Sequence, residues 1–97
     1  MADVIVPAGD VSSGRITLVA GEVTTVTFAD NVGGAVIISD GAAPIYCTVD
    51  GSVPAVDGTH CFEMPAQVSV AERSTNMLPD VVSLISDGTP SVRVEKP

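Results

Sequence analysis

Short runs of alternating apolar and polar residues, separated by turn residues, extend along the whole chain. Most of the runs are rich in Val, Ile and Thr, and turn signals recur about every eight to twelve residues, which is typical of an all-β fold. The predicted strands are Asp3–Val6, Arg15–Gly21, Glu22–Phe28, Gly34–Asp40, Pro44–Asp50, Thr59–Met64, Ala66–Glu72, Asp80–Asp87 and Pro90–Lys96. We therefore expect residues 1–97 to form one antiparallel β-sandwich, Ig-like or jelly-roll-like, with eight or nine short strands.

The turn residues predict how some of these strands are connected. Ala20-Gly21-Glu22 separates two β-branched runs and predicts a hairpin. The tetrapeptide Ile-Ser-Asp-Gly occurs twice, beginning at Ile38 and at Ile85, and each copy is followed by a proline and an alternating strand. Asp-Gly supplies the positive φ angles of tight hairpin turns. The repeat indicates either two similar hairpins or two pseudo-equivalent halves of a sandwich.

Composition and charge narrow the class of protein. Hydrophobic residues make up 45% of the 97 residues and charged residues 16%, a balance that disfavours intrinsic disorder. Twelve acids against four bases give a net charge of −8, which repels nucleic acid and anionic membranes. The start, "MADVIVPAGD", lacks the basic region of a signal peptide, and no apolar run reaches the ~20 residues of a membrane span. We expect synthesis in a cytoplasm and no membrane contact.

The segment Ile45–Ala66 contains both cysteines, the single tyrosine and the single histidine. If this segment folds as a hairpin about Pro54, Cys47 faces Cys61 on the neighbouring strand. Directly opposed residues of an antiparallel pair lie ~4.5–5.5 Å apart at Cα, which is within disulfide range. Such a bridge would stabilise the domain by roughly 3 kcal/mol in the chain-entropy model. The alternative is two reduced, buried thiols, as expected in a cytoplasm.

Catalytic and metal chemistry find little support in the same segment. His60 and Cys61 are adjacent, so on a strand their side chains point to opposite faces and cannot share a proton. Zinc needs about four ligands, and the two cysteines with His60 supply three at most. The oxygen ligands available to calcium are Asp50, Ser52 and Asp57, which are too few for a known loop. We expect no enzymatic activity, no cofactor and no bound metal.

Three motifs in order along nearly the full chain resemble a class of small structural proteins from tailed phages of actinobacteria. They are a Val-Thr-Thr-Val-Thr strand at Val23–Thr27, an Ile-Tyr-x-Thr-x-Asp-Gly-Ser-x-Pro segment at Ile45–Pro54, and a closing strand pair at Leu84–Glu95. The middle segment alone is also similar to chitobiase C-terminal and fibronectin type III-associated domains, which are Ig-like appendages of secreted glycosidases. Both groups commonly have an aromatic residue where this chain has Cys47.

The first resemblance implies a non-enzymatic virion protein that decorates and stabilises the exterior of the capsid. Its expected partners are the major capsid protein and further copies of itself, most simply as a trimer, and its expected location is the virion. The second resemblance implies an alternative, an Ig-like binding module of a tail or of a secreted glycosidase that contacts carbohydrate. The absence of Trp disfavours carbohydrate, because sugars commonly stack on aromatic rings.

The N-terminal residues are the predicted contact with a partner chain. Residues 1–11 are apolar or mixed, unlike a charged tail, and we expect them to form an extended arm. Val4, Ile5 and Val6 would be its apolar anchors, each worth roughly 1.5–3 kcal/mol if fully buried.

Overall fold

The computed structural model describes residues 2–30, 33–74 and 80–97, and this part of the chain is all β, without a helix. Its nine strands are β1 (Ala2–Val6), β2 (Ile16–Thr17), β3 (Thr24–Phe28), β4 (Gly34–Ser39), β5 (Ile45–Thr48), β6 (Phe62–Met64), β7 (Val70–Ser74), β8 (Asp80–Ile85) and β9 (Ser91–Glu95). The predicted all-β class and strand number are confirmed. No described helix could span a membrane.

The strands form two sheets with the connectivity of a jelly roll. One sheet has the order β1-β3-β8-β5-β6, and the other has the order β2-β9-β4-β7. Numbered one to eight along the chain, β2 to β9 give the orders 1-8-3-6 and 2-7-4-5, which is the jelly-roll arrangement of two Greek keys. All pairs among these eight strands are antiparallel. Strand β1 is an addition to the jelly roll, because it pairs in parallel with β3 at the edge of the five-stranded sheet.

The alternation of residue types determines which side chains enter the core. In β3, Thr24, Val26 and Phe28 are buried, whereas the intervening Thr25 and Thr27 point to the opposite face. Strand β9 alternates in the same way. Phe62 packs against the core between the sheets. The fully buried large side chains of that core are Phe28, Leu18, Ile37, Ile45, Met64, Leu84, Val6, Val26, Val82, Val92 and Val94.

The two Ile-Ser-Asp-Gly copies form equivalent crossovers between the sheets. In each copy the serine is buried and its Oγ accepts a hydrogen bond from the glycine N–H two residues later, at 3.0 Å for Ser39 and Gly41 and at 3.1 Å for Ser86 and Gly88. The first copy leads from β4 to β5, and the second leads from β8 to β9, in the reverse direction between the sheets. Neither copy is therefore a hairpin, because each joins strands of different sheets.

These two crossovers also contact each other. The Ser86 hydroxyl donates to the Pro44 carbonyl at 2.6 Å, and Asp40 Oδ2 accepts from the Ser91 N–H at 3.2 Å. The packing at Gly88 is so close that a Cβ atom there would lie 2.7 Å from the Cβ of Ala43. One end of the sandwich is thus closed by paired turns.

The hairpin predicted at Ala20-Gly21-Glu22 is wrong. Strand β2 pairs with β9 in one sheet and β3 pairs with β8 in the other, so the turn between them changes sheet. The Glu22 N–H closes the turn by donating to the Val19 carbonyl at 3.0 Å, and the Gly21 N–H ties the turn to the Ser86 carbonyl at 2.8 Å. Among the described strands, only β5 and β6 pair as consecutive neighbours.

Candidate functional site

The segment between β5 and β6, residues 49–61, folds over the outer face of the five-stranded sheet. Tyr46 and Thr48 point away from the core, since Cys47 between them faces inward, yet both are buried, with 7% and 3% of their surface exposed. The Thr48 hydroxyl donates to the Ser52 carbonyl at 2.6 Å, and the Tyr46 hydroxyl donates to the Asp57 carboxylate at 2.9 Å. This segment, the 49–61 loop, therefore covers Tyr46 and Thr48 on a face that alternation alone predicts to be open.

The first turn of the 49–61 loop is held by Asp50. Its Oδ1 accepts hydrogen bonds from both the backbone N–H and the hydroxyl of Ser52, at 3.0 and 2.6 Å. The Ser52 hydroxyl and then the Ser52 N–H lower the pKa of Asp50, because they stabilise its charged form. Asp50 and Ser52 thus stabilise a turn by bonding to each other.

The Tyr46–Asp57 contact anchors the second half of the loop. The hydrogen bond to Asp57 and the burial of the ring raise the pKa of Tyr46 to about 12, with smaller contributions from the charges of Asp57, Glu63 and Asp87. Asp57 itself has a φ of +57°, in the left-handed region that Asp tolerates better than most residues. No sequence pattern identifies this pair directly, although the turn dipeptide Asp57-Gly58 begins eleven residues after Tyr46.

The predicted pairing of the two cysteines is wrong. The β5–β6 register places Cys47 opposite Phe62, one residue beyond Cys61, and no disulfide joins the two thiols. Cys47 is fully buried in the core, whereas Cys61 is half-buried in the loop. The shift arises because the loop contains successive turns, in which the Gly58 N–H donates to the Ala55 carbonyl and the Cys61 N–H donates to the Gly58 carbonyl. Cys61 belongs to the last turn, and β6 begins only after it.

His60 and Cys61 do meet, contrary to the expectation for adjacent strand residues. Because both lie in a turn, Cys61 Sγ is 3.6 Å from His60 Nε2. The sulfur also accepts the Ala55 N–H at 3.4 Å, and His60 Nε2 lies 2.8 Å from the Val53 carbonyl. These contacts tie the last residues of the loop to its middle.

The residues weighed for metal binding do not converge. Asp50 and Ser52 bond to each other, while Asp57 is engaged by Tyr46. Within the described ranges, no three His, Cys, Asp or Glu side chains are arranged to hold a metal ion, and the surface of the described residues has no pocket.

The predicted anchors Val4, Ile5 and Val6 have three different environments. Residues 2–6 are not an arm that extends from the domain, because they form β1 in register with β3. Val6 is 1% exposed in the core and Val4 is half-buried against it, whereas Ile5 is 70% exposed on the outer face. Alternation forces this division, since Val4 and Val6 share a face and Ile5 takes the other. Ile5 is the residue of the three that the domain leaves accessible.

The backbone of β1 is open on one side. The Ala2 N–H donates to the Val23 carbonyl and the Ala29 N–H donates to the Val6 carbonyl, both at 3.0 Å. In a parallel pair these bonds fall on alternate residues of a strand, so Asp3 and Ile5 direct their backbone groups away from β3.

No family model and no curated protein matches this chain.

Proposed function

We propose that this chain is a non-enzymatic structural protein of a tailed-phage particle that decorates the exterior of the capsid. It would be made in the host cytoplasm, bind the major capsid protein and associate with its own copies, most simply as a trimer. The observation that carries the proposal is the open edge of β1, where Ile5 is exposed on a strand that is itself fixed in the domain. The resemblance along the chain supplies the type of particle.

The fixed position of β1 supports a role in docking. Val6 is buried in the core and all five residues of β1 are in register with β3. A contact surface that is ordered before binding avoids the entropy cost of ordering a free arm. The jelly roll is an architecture of viral capsid and lectin domains, which is compatible with the proposal but does not select it, because function depends on sites rather than on folds.

The carbohydrate-binding alternative is less well supported by the aromatic residues. The chain has three, and Phe28 and Tyr46 are buried while Phe62 is half-buried in the β5–β6 hairpin. Tyr46 in particular is covered by the 49–61 loop. None of these three rings is fully exposed, so none offers a free face on which a sugar could stack.

The proposal is tested on phage particles purified by density gradient from a culture that produces this chain. Gold-labelled antibody against the chain should mark the heads. Labelled tails would favour the tail-module alternative, and absence of the chain from purified particles would refute the proposal.

A second experiment tests the contact surface. Particles that lack the chain are supplied with the wild type, with Ile5→Asp, or with the control Val70→Asp, which changes an exposed valine on the other sheet. Ile5→Asp should lower the occupancy on heads, whereas Val70→Asp should not. Equal occupancy of all three would show that Ile5 is outside the contact.

A further inference from the structure

We propose that the open edge of β1 binds an extended segment of a partner chain as an additional strand, and that this segment is basic and aliphatic at alternate positions. A Lys or Arg would lie beside Asp3 and a Val, Ile or Leu beside Ile5. This inference names the chemistry of the partner at the surface on which the proposed function rests.

The backbone provides the general part of the recognition. Because Ala2, Val4 and Val6 direct their hydrogen-bonding groups to β3, the N–H and C=O groups of Asp3 and Ile5 point outward. Among the described residues, β1 has no second neighbouring strand. An extended peptide that aligns with this edge gains main-chain hydrogen bonds without any change in the fold, as in other cases of strand addition.

The side chains provide the specific part. Asp3 and Ile5 lie on the outer face and are both exposed, Ile5 to 70%. Cross-strand neighbours on one face of a sheet contact each other directly, and opposite charges or paired aliphatic side chains stabilise the pairing. An incoming strand is therefore favoured when its residues beside Asp3 and Ile5, two positions apart, are basic and aliphatic.

A second copy of this chain fits the edge poorly. The other five-residue edge strand, β7, also presents an aliphatic and an acidic residue two positions apart, Val70 and Glu72, both exposed on the outer face of its sheet. If β1 of one copy pairs antiparallel with β7 of another so that Ile5 meets Val70, Asp3 falls directly opposite Glu72. Like charges in that position are destabilising, and each copy carries a net charge of −8. A basic partner has neither penalty.

The experiment measures binding of short peptides to the 15N-labelled protein by NMR. The probe is the acetylated and amidated pentapeptide Lys-Thr-Val-Thr-Lys, whose symmetry allows either strand direction, and its control is Glu-Thr-Val-Thr-Glu. We expect the lysine peptide to shift the amide signals of Asp3 and Ile5 and the glutamate peptide to bind about tenfold more weakly.

Two variants separate edge pairing from general charge attraction. Ile5→Pro removes an N–H that β3 does not use, a change that edge strands tolerate, and it should abolish the shifts, whereas Ile5→Val should keep them. Asp3→Lys should reverse the preference toward the glutamate peptide, which keeps the test valid even if the proline variant fails to fold. Shifts outside β1, or an unchanged preference in Asp3→Lys, would overturn the inference.

The peptide-binding inference and the proposed function can fail separately. If the lysine peptide binds at β1 but purified particles lack the chain, the proposed function fails and the inference stands. If particles carry the chain at full occupancy with Ile5→Pro, the inference fails and the proposed function stands.

Discussion

Truncation of Val6 tests whether β1 belongs to the domain. Val6 is 1% exposed and lies opposite Phe28 in the core. Val6→Ala removes two buried methyl groups, worth ~1.6 kcal/mol at ~0.8 kcal/mol for each carbon, and the cavity left behind raises the expected loss to roughly 2–3 kcal/mol. The matched control is Ile5→Ala on the same strand, which should change the free energy of unfolding by less than about 0.5 kcal/mol because Ile5 is 70% exposed.

The assay is urea unfolding of the wild type and both variants. At an m-value of ~1 kcal/mol per molar, typical of the smallest domains, the midpoint of Val6→Ala should fall by roughly 2–3 M while the m-value stays unchanged. The melting temperature should fall by roughly 10 °C or more, since ~1 kcal/mol corresponds to ~4–8 °C in domains below about 100 residues. Equal losses for the two variants, or a larger loss for Ile5→Ala, would show that β1 is not docked in this register.

Three further predictions concern the core, the crossovers and the loop. A thiol reagent should modify Cys61 in the native protein and Cys47, which is fully buried, only after unfolding; rapid modification of two thiols would contradict the burial. Gly88→Ala should destabilise the domain by roughly 1–3 kcal/mol because its Cβ would lie 2.7 Å from the Cβ of Ala43, and adding Ala43→Gly should restore much of the loss in thermal unfolding. Tyr46, the single tyrosine in a chain without tryptophan, should titrate near pH 12 in the native state and near pH 10 after unfolding. Its native pKa is raised, so its contribution to stability should be complete below pH 10 and lost as the pH rises through 12; identical midpoints in the absorbance titrations would refute the contact with the loop.

Strand positions could be predicted from the sequence because alternation is a local property. The run Thr24–Phe28 alternates without interruption, and every second residue enters the core as expected. Alternation also places Val4 and Val6 on one face. Which of the two faces is buried depends on pairing with β3, which is not encoded within the strand, so the sequence did not show that Val6 packs in the core of its own domain.

The connections could not be predicted because one turn sequence serves two geometries. Asp-Gly supports a hairpin, but here each copy lies between strands of different sheets. The distinguishing feature is the serine before the Asp-Gly. Ser86 is buried and donates to Pro44 in the other crossover, 42 positions away, and a contact over this separation has no local signal.

The register of the strands that flank the 49–61 loop also could not be predicted from the sequence. The predicted pairing of Cys47 with Cys61 assumes that the connection turns at Pro54, with equal numbers of residues on its two sides. The turns of the 49–61 loop move the register by one residue, which places Phe62 opposite Cys47. A shift of one residue turns a side chain to the other face of a sheet. Pairing of cysteines across a long loop therefore depends on how its turns are closed.

The additional strand β1 covers β3, which would otherwise be the edge strand of its sheet. Without β1, the five residues of β3 would form the edge of their sheet, with Val26 and Phe28 beside solvent and a full row of unpaired backbone groups. Hydrophobic edges of this kind promote association with other chains. With β1 in place, the new edge offers the outward groups of Asp3 and Ile5, carries a negative charge and ends at Pro7, which has no N–H to donate. The exchange replaces a hydrophobic edge by an edge of equal length that carries a charge, and this is the physical reason to look for its partner among basic, extended segments.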